Sequence, residues 1–213
     1  RFVVRGDQLR SLGVRAQPER LQACEAEAPA ALTDAVRAIG RDTGVAWPEG
    51  YTSEVILGLA GWLQALAAAV ARGVLLFVDY GLPRREYYAA ERRDGTLLCH
   101  FRHRFHDDPF ARPGLQDITA WVDFTAVAEA GCAAGLQLAG FATQAHFLIG
   151  CGIGEFLADV SDLDVVSRVN LSRQAMVLTL PGEMGERFKA IAFAKGYDAP
   201  LRGFAVRDLR HTL

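Results

Sequence analysis

Four groups of residues have types and spacings that could do chemistry. The first is Asp79-Tyr80-Gly81, where the apolar run Val74-Leu75-Leu76-Phe77-Val78 stops abruptly at a carboxylate. In an open α/β sheet, ligands bind outside the carboxyl ends of the strands, which is where this carboxylate would stand. Gly81 permits close approach of a ligand or an unusual backbone angle, and Tyr80 adds a flat apolar surface with a hydroxyl. A plain strand-terminating turn capped by Asp79 accounts for the same residues equally well. The second group is His100, His103, His106, Asp107 and Asp108, a composition that invites a metal. Its spacing argues otherwise. On a strand, His100 and His106 share a face while His103 points to the other, so the three do not converge. No metal is expected, and His103 is left as a single proton acceptor or substrate contact.

The third group is six arginines between Arg84 and Arg104, set against Glu86, Glu91 and Asp94. A basic face of this kind could hold a carboxylate or phosphate, although a solvated helix surface is the simpler reading. The fourth is the run from Ile149 to Glu155, which matches the glycine-rich loop that grips nucleoside cofactors. Such a loop ends the first strand of its fold. Only about sixty residues follow here, too few for the remaining strands and crossovers. His146 also stands where an acidic residue would precede the loop. The run is therefore not read as a cofactor loop.

The elements that must position these residues follow from patterning. Arg1 to Arg5 and Leu9 to Val14 read as strands about a Gly6-Asp7 turn, a polar stretch runs from Gln17 to Pro29, and Ala31 to Gly40 reads as a short helix. Ser53 can cap a helix over Glu54 to Arg72, with Gly73 just beyond its end. Val74 to Val78 then reads as a strand buried on both faces, as in parallel sheets covered by helices. A short helix through Tyr87 to Arg92, an extended stretch from Thr96 to Phe105 and a polar loop from Asp107 to Gly114 come next. A helix carrying Phe124, Val127, Ala128 and Gly131 ends near Gly135. Leu136 to Phe141 and Phe188 to Lys195 read as strands.

With 213 residues, 51% of them apolar and 23% charged, the chain can bury a sizeable core without disulfides or a structural metal. A net charge of −2 gives no drive toward nucleic acid or an anionic membrane. Gln64, Arg72 and several glycines interrupt the longest apolar stretch, Val55 to Val78, so no membrane span is expected. Cys24, Cys99, Cys132 and Cys151 form no C-x-x-C pair and read as reduced thiols of a cytoplasmic protein. The opening at Arg1, directly in a strand-like run, reads as a piece of a longer protein.

From Gly73 onward the sequence resembles the MidA-like family of S-adenosylmethionine-dependent methyltransferases, which includes the mitochondrial protein-arginine methyltransferase that assists respiratory complex I assembly. The matching blocks are Gly73 to Gly81, Glu86-Tyr87-Tyr88, Arg92 to Thr96, His103-Arg104, Pro113 to Ala120, Val122-Asp123-Phe124, Gly140 to Gln144 and Met184 to Lys189, in the family's order. The resemblance implies an α/β class I (Rossmann-like) methyltransferase fold with a seven-stranded sheet. Val74 to Val78 would be its fifth strand, Leu136 to Phe141 its sixth and Phe188 to Lys195 its antiparallel seventh. It also implies that the first strands, with the glycine-rich cofactor loop, lie upstream of Arg1. Residues 1–50 would then be a β-rich insertion or linker, and 51–213 the C-terminal half of the methyltransferase domain.

The resemblance further implies S-adenosylmethionine as cofactor, contacted by Asp79, Tyr80 and Gly81, and a protein arginine as methyl acceptor. The enzyme would be cytoplasmic in bacteria and lie in the mitochondrial matrix in eukaryotic relatives. Methyl transfer requires alignment of the nucleophile and removal of its proton, and a carboxylate suits a guanidinium acceptor. Asp79, Asp117 and Asp123 are the carboxylate candidates, with Tyr80, His103 and Thr119 shaping the pocket. Helix capping is the competing role for Asp117 and Asp123. The expected partner is a protein substrate, with a homodimer as an option. The alternative function is a non-catalytic assembly module that kept the fold, and a metal-dependent hydrolase is the weakest reading.

Overall fold

The computed structural model describes residues 1–160 and 162–213. Along the chain the elements are β1 (Phe2–Arg5), β2 (Gln8–Ala16), β3 (Leu21–Glu27), α1 (Ala30–Thr43), β4 (Thr52–Ser53), α2 (Leu59–Ala69), β5 (Gly73–Leu82) and α3 (Arg84–Tyr87). There follow β6 (Leu98–Phe101), β7 (Arg104–His106), β8 (Asp117–Thr119), β9 (Val122–Asp123), α4 (Phe124–Ala133) and β10 (Gln137–Thr143). The last are α5 (Gln144–Cys151), α6 (Ile153–Ala158), α7 (Val165–Thr179), α8 (Met184–Arg187) and β11 (Phe188–Lys195). By compactness the chain divides into a first unit of 1–58 and 84–121 and a second of 59–83 and 122–213.

In the first unit β1, β2, β3 and β4 form an antiparallel sheet in the order β3-β2-β1-β4. Its aromatic core is Phe2, Trp47, Tyr51 and Tyr88, with Trp47 stacked on Tyr51 at 5.5 Å. A second small sheet has the order β7-β6-β8. Three expectations change here. The polar stretch after Gln17 contains a strand, because β3 pairs along its whole length with β2. Ser53 does not cap a helix: Thr52 and Ser53 pair with Val3 and Phe2, and the helix begins only at Leu59. Thr96 to Phe105 is not one extended segment but contains most of a hairpin that reverses at Arg102-His103.

In the second unit the sheet has the order β10-β11-β5-β9. β11 runs antiparallel to both neighbours, as expected for the last strand of such a fold, and β5 runs parallel to β9. Leu63 and Ala67 of α2, Phe124, Val127 and Ala128 of α4, and Phe141, Ile191 and Phe193 of the sheet form the core on one face, with Leu75 and Phe77 packed against it. Gly131 is a packing requirement, since a Cβ there would strike the Phe193 ring. On the other face Ala142, Ala190 and Ala192 pack under Phe204. β5 departs from the expectation of burial on both faces. Val74, Leu76 and Val78, alternate residues on one face, are 37–46% exposed. Pairing on the β9 side of β5 is confined to Gly81 and Leu82, so most of that edge and one face carry no covering element within this unit.

Candidate active site

The carboxyl end of β5 is shaped by its neighbours. Gly81 pairs with Val122, and a Cβ there would collide with the Val122 backbone and the Phe124 ring, so only glycine allows β9 to approach. Tyr80 stands edge-on to Phe188, ring centroids 5.3 Å apart. Asp79 is exposed, and its Oδ1 accepts from the Tyr80 backbone N–H at 2.8 Å. The strand end thus offers a carboxylate and an aromatic ring, whereas the Gly81 backbone is buried beneath β9 and is not open to the ligand contact its residue type suggested. Asp123, the second residue of the second segment of this unit, is the N-cap of α4 and accepts from the Ala126 N–H at 3.1 Å. This is the capping role weighed above.

His103, Asp117 and Thr119 belong to the first unit. His103 sits with Arg102 at the two-residue tip between β6 and β7, where both have positive φ, 64° and 50°. A tight hairpin demands this geometry and usually places Asn-Gly there, so two larger side chains are held in a sparsely populated region. The Arg102 and Arg112 guanidinium groups lie over the Phe101 ring at 5.2 and 4.4 Å. The reversal also corrects the face assignment. His100 pairs with Phe105 and His106 with Cys99, so His100 and His106 point to opposite faces. Among the described residues no group of three or more His, Cys, Asp or Glu side chains could hold a metal.

Asp117 lies in β8 opposite His100, on an exposed strand rather than at a helix start, so capping does not account for it. The Thr119 hydroxyl, the Gln116 Oε1 atom and both His106 ring nitrogens are buried without a hydrogen-bond partner in the described residues. Burial also pushes the Cys99 thiol up, with Asp108, Asp107 and Asp117 adding to the effect.

Patterning missed Glu54. The residue is 8% exposed, and its carboxylate accepts from the Thr96 N–H (2.9 Å), the Thr96 hydroxyl (3.0 Å) and the Arg1 Nε (2.8 Å), with the Tyr87 hydroxyl at 3.5 Å. Arg1 Nη2 donates to the Asp94 carbonyl at 2.8 Å, and the Tyr88 hydroxyl to the Glu54 carbonyl at 2.9 Å. The Arg92 to Thr96 loop is therefore folded around a buried carboxylate. Gly95, at φ 76°, lies so close that a Cβ would run into the Glu54 oxygens. No local pattern announces this, because the partners lie 33 to 53 residues away.

Residues 1–142 match a family model described as "putative S-adenosyl-L-methionine-dependent methyltransferase". Two crystal structures of Burkholderia thailandensis proteins superpose on the whole chain at 38% identity and a TM-score of 0.91. One is an uncharacterized member of the COG1565 superfamily, of which the chain covers 56%. The other is a member described as a "likely methyl transferase", bound to S-adenosyl-homocysteine, of which it covers 54%. The chain thus spans about half the length of these solved relatives. No curated protein matches it. By the match over residues 1–142, this chain belongs to that family of S-adenosyl-L-methionine-dependent methyltransferases.

Proposed function

We propose that this chain is the acceptor-side half of a protein methyltransferase, and that its parent protein transfers a methyl group from S-adenosylmethionine to an arginine side chain. The observation that supports this most strongly is the end-to-end match to a structure that holds S-adenosyl-homocysteine. On this reading the unpaired stretch of β5 is where the sheet continues into further strands, giving a seven-stranded class I sheet. The glycine-rich cofactor loop would then lie in that further part. The run from Ile149 to Glu155 is not such a loop: it is the end of α5, a left-handed Gly152 and the start of α6.

The residues at the carboxyl end of β5 fit a nucleoside cofactor on one side only. Asp79 offers an exposed carboxylate and Tyr80 an aromatic ring, while the buried Gly81 serves to let β9 close up beside them. The described residues of the second unit contribute no opposite wall there. The cofactor supplies an electrophilic sulfonium methyl when bound. The chain's own part is to orient the acceptor, exclude water and accept a proton. At the carboxyl end of β5, Asp79 is an exposed carboxylate able to pair with a guanidinium. In the first, His103 on its strained tip, Asp117 and Thr119 are the candidates for acceptor contacts. A protein substrate connected with respiratory-complex assembly, and a location in cytoplasm or mitochondrial matrix, belong to the same reading.

The test is to incubate the full-length protein with S-adenosylmethionine labelled in its methyl group and with a cell extract. Label recovered as methylarginine in protein supports the proposal. Label confined to small molecules or lipid contradicts the acceptor class. No turnover, with cofactor binding intact, would favour the assembly module.

A further inference from the structure

The small sheet of the first unit dictates the path of the segment that follows β7. β7 and β8 both run antiparallel to β6 and lie on either side of it, so they are parallel to each other. Residues 107–116 join them and must therefore cross over one face of β6. The two ends of the crossing are nearly level, because His106 stands opposite Cys99 and Asp117 opposite His100. The Arg112 guanidinium, 4.4 Å from the centre of the Phe101 ring, marks the face that is crossed. By alternation along the paired strands, that face carries Cys99, Phe101 and His106. Cys99 is wholly buried there, whereas His100, Phe105 and Asp117 on the other face are exposed.

The crossing segment is tied to itself. The Phe110 N–H donates to Asp108 Oδ1 (2.8 Å), the Gln116 Nε2 to the Pro109 carbonyl (2.7 Å), and the Leu115 N–H to the Arg112 carbonyl (3.0 Å). Pro113 and Gly114, the latter at φ 77°, are the central pair of that last turn. Among the described residues no hydrogen bond joins 109–115 to a strand. The contact with the sheet is a cation on an aromatic ring, and the same ring takes a second guanidinium, that of Arg102, at 5.2 Å. Two like charges at one ring loosen each other's hold. On the covered face both His106 ring nitrogens and the Gln116 Oε1 atom are buried without a hydrogen-bond partner. Such a group costs its full desolvation while it stays dry, and contact with water removes that cost. The covered arrangement is thus lightly held from above and disfavoured from within.

We infer that residues 107–116 form a lid that lifts from β6 as one piece, baring the Cys99 thiol and the His106 imidazole together. Hydrogen bonds inside the lid span 108 to 116, which puts its hinges at the two ends, by Asp107 and Asp117. Lifting breaks the Arg112–Phe101 contact, keeps the internal bonds, and brings water to the three unpaired atoms. The inference is independent of the chemistry at β5.

Alkylation of Cys99 in the native full-length protein, read by mass spectrometry on the peptide that carries it, tests the lid. In the wild type, labelling is expected at a rate that low denaturant leaves unchanged, the mark of a local opening rather than global unfolding. Arg112→Gln should speed labelling roughly tenfold at an unchanged melting temperature. Loss of a nearby cation by itself slows thiolate chemistry, so a faster rate reports opening. His106→Leu, which removes the unpaired nitrogens, should slow labelling roughly tenfold. Arg173→Gln, on α7, should change nothing. Labelling that follows global unfolding in both the wild type and Arg112→Gln overturns the inference. A Cys99 that stays unlabelled below the unfolding transition does the same, since the segment is then fixed in place, by this chain or by another part of a longer protein. A local rate indifferent to both the Arg112 and His106 substitutions overturns it as well, as does acceleration in Arg112→Gln that comes only with a lowered melting temperature.

Discussion

At the scale of residues, the strand-end carboxylate was legible and the buried one was not. Asp79 announces itself because a continuous apolar run ends on it. The partners of Glu54 are 33 to 53 residues distant, so nothing near it marks it as buried. Glu54→Gln keeps the shape but removes the charge that Arg1, Thr96 and Tyr87 converge on, and should lower stability by about 3 kcal/mol. Gly95→Ala should act in the same direction by at least about 1 kcal/mol, through its positive φ and the collision with Glu54. Chemical denaturation of both variants checks this. Burial of the Tyr51 hydroxyl pushes its pKa up from 10.0 to about 12, and the hydroxyl has no hydrogen-bond partner among the described residues. A raised folded-state value means the neutral form is favoured in the fold, so stability is intact below pH 10.0 and declines between 10.0 and about 12. That decline should be on the order of 2–3 kcal/mol. Tyr51→Phe should abolish it and leave neutral-pH stability unchanged or slightly higher, as denaturation at pH 7 and pH 11 would show.

At the scale of elements, β5, β10, β11 and α4 were readable, because a short apolar run or a periodic face bounded by glycine specifies them locally. α2 was read too long. Ser53 and Glu54 have the composition of a helix start, but Ser53 is taken by pairing with Phe2 and Glu54 by the Thr96 loop. The histidines were misplaced for a related reason. A reversal at two non-glycine residues, Arg102 and His103, carries no turn signature. α5 to α8 went unread because α7 is apolar on several sides and shows no clear buried stripe. Asp123 separates capping from catalysis by substitution. Asp123→Asn retains a capping oxygen and should keep stability within about 0.5 kcal/mol, whereas Asp123→Ala should lose about 1 kcal/mol. If methyl transfer falls tenfold in Asp123→Asn at unchanged melting temperature, the carboxylate has a role beyond the cap.

At the scale of the molecule, the exposed row Val74, Leu76 and Val78 on β5 is, on the proposed reading, a face that the full-length protein covers. In the full-length protein, Leu76→Glu should lower stability by about 3 kcal/mol or more, as for a charge placed in a covered sheet face. Val206→Glu should be nearly neutral, and comparison of their melting temperatures decides the matter. Membership of a family of S-adenosyl-L-methionine-dependent methyltransferases and the antiparallel setting of β11 agree with what the ordered blocks led one to expect, while the acceptor is a matter for experiment. The most direct measurement is calorimetric titration of the full-length protein with S-adenosylmethionine, alongside an Asp79→Ala variant. Saturable one-to-one binding by the wild type is expected, with at least tenfold weaker affinity in Asp79→Ala at unchanged melting temperature. Absence of binding by the folded wild type, or identical affinities in the two proteins, would contradict the placing of the donor at the end of β5.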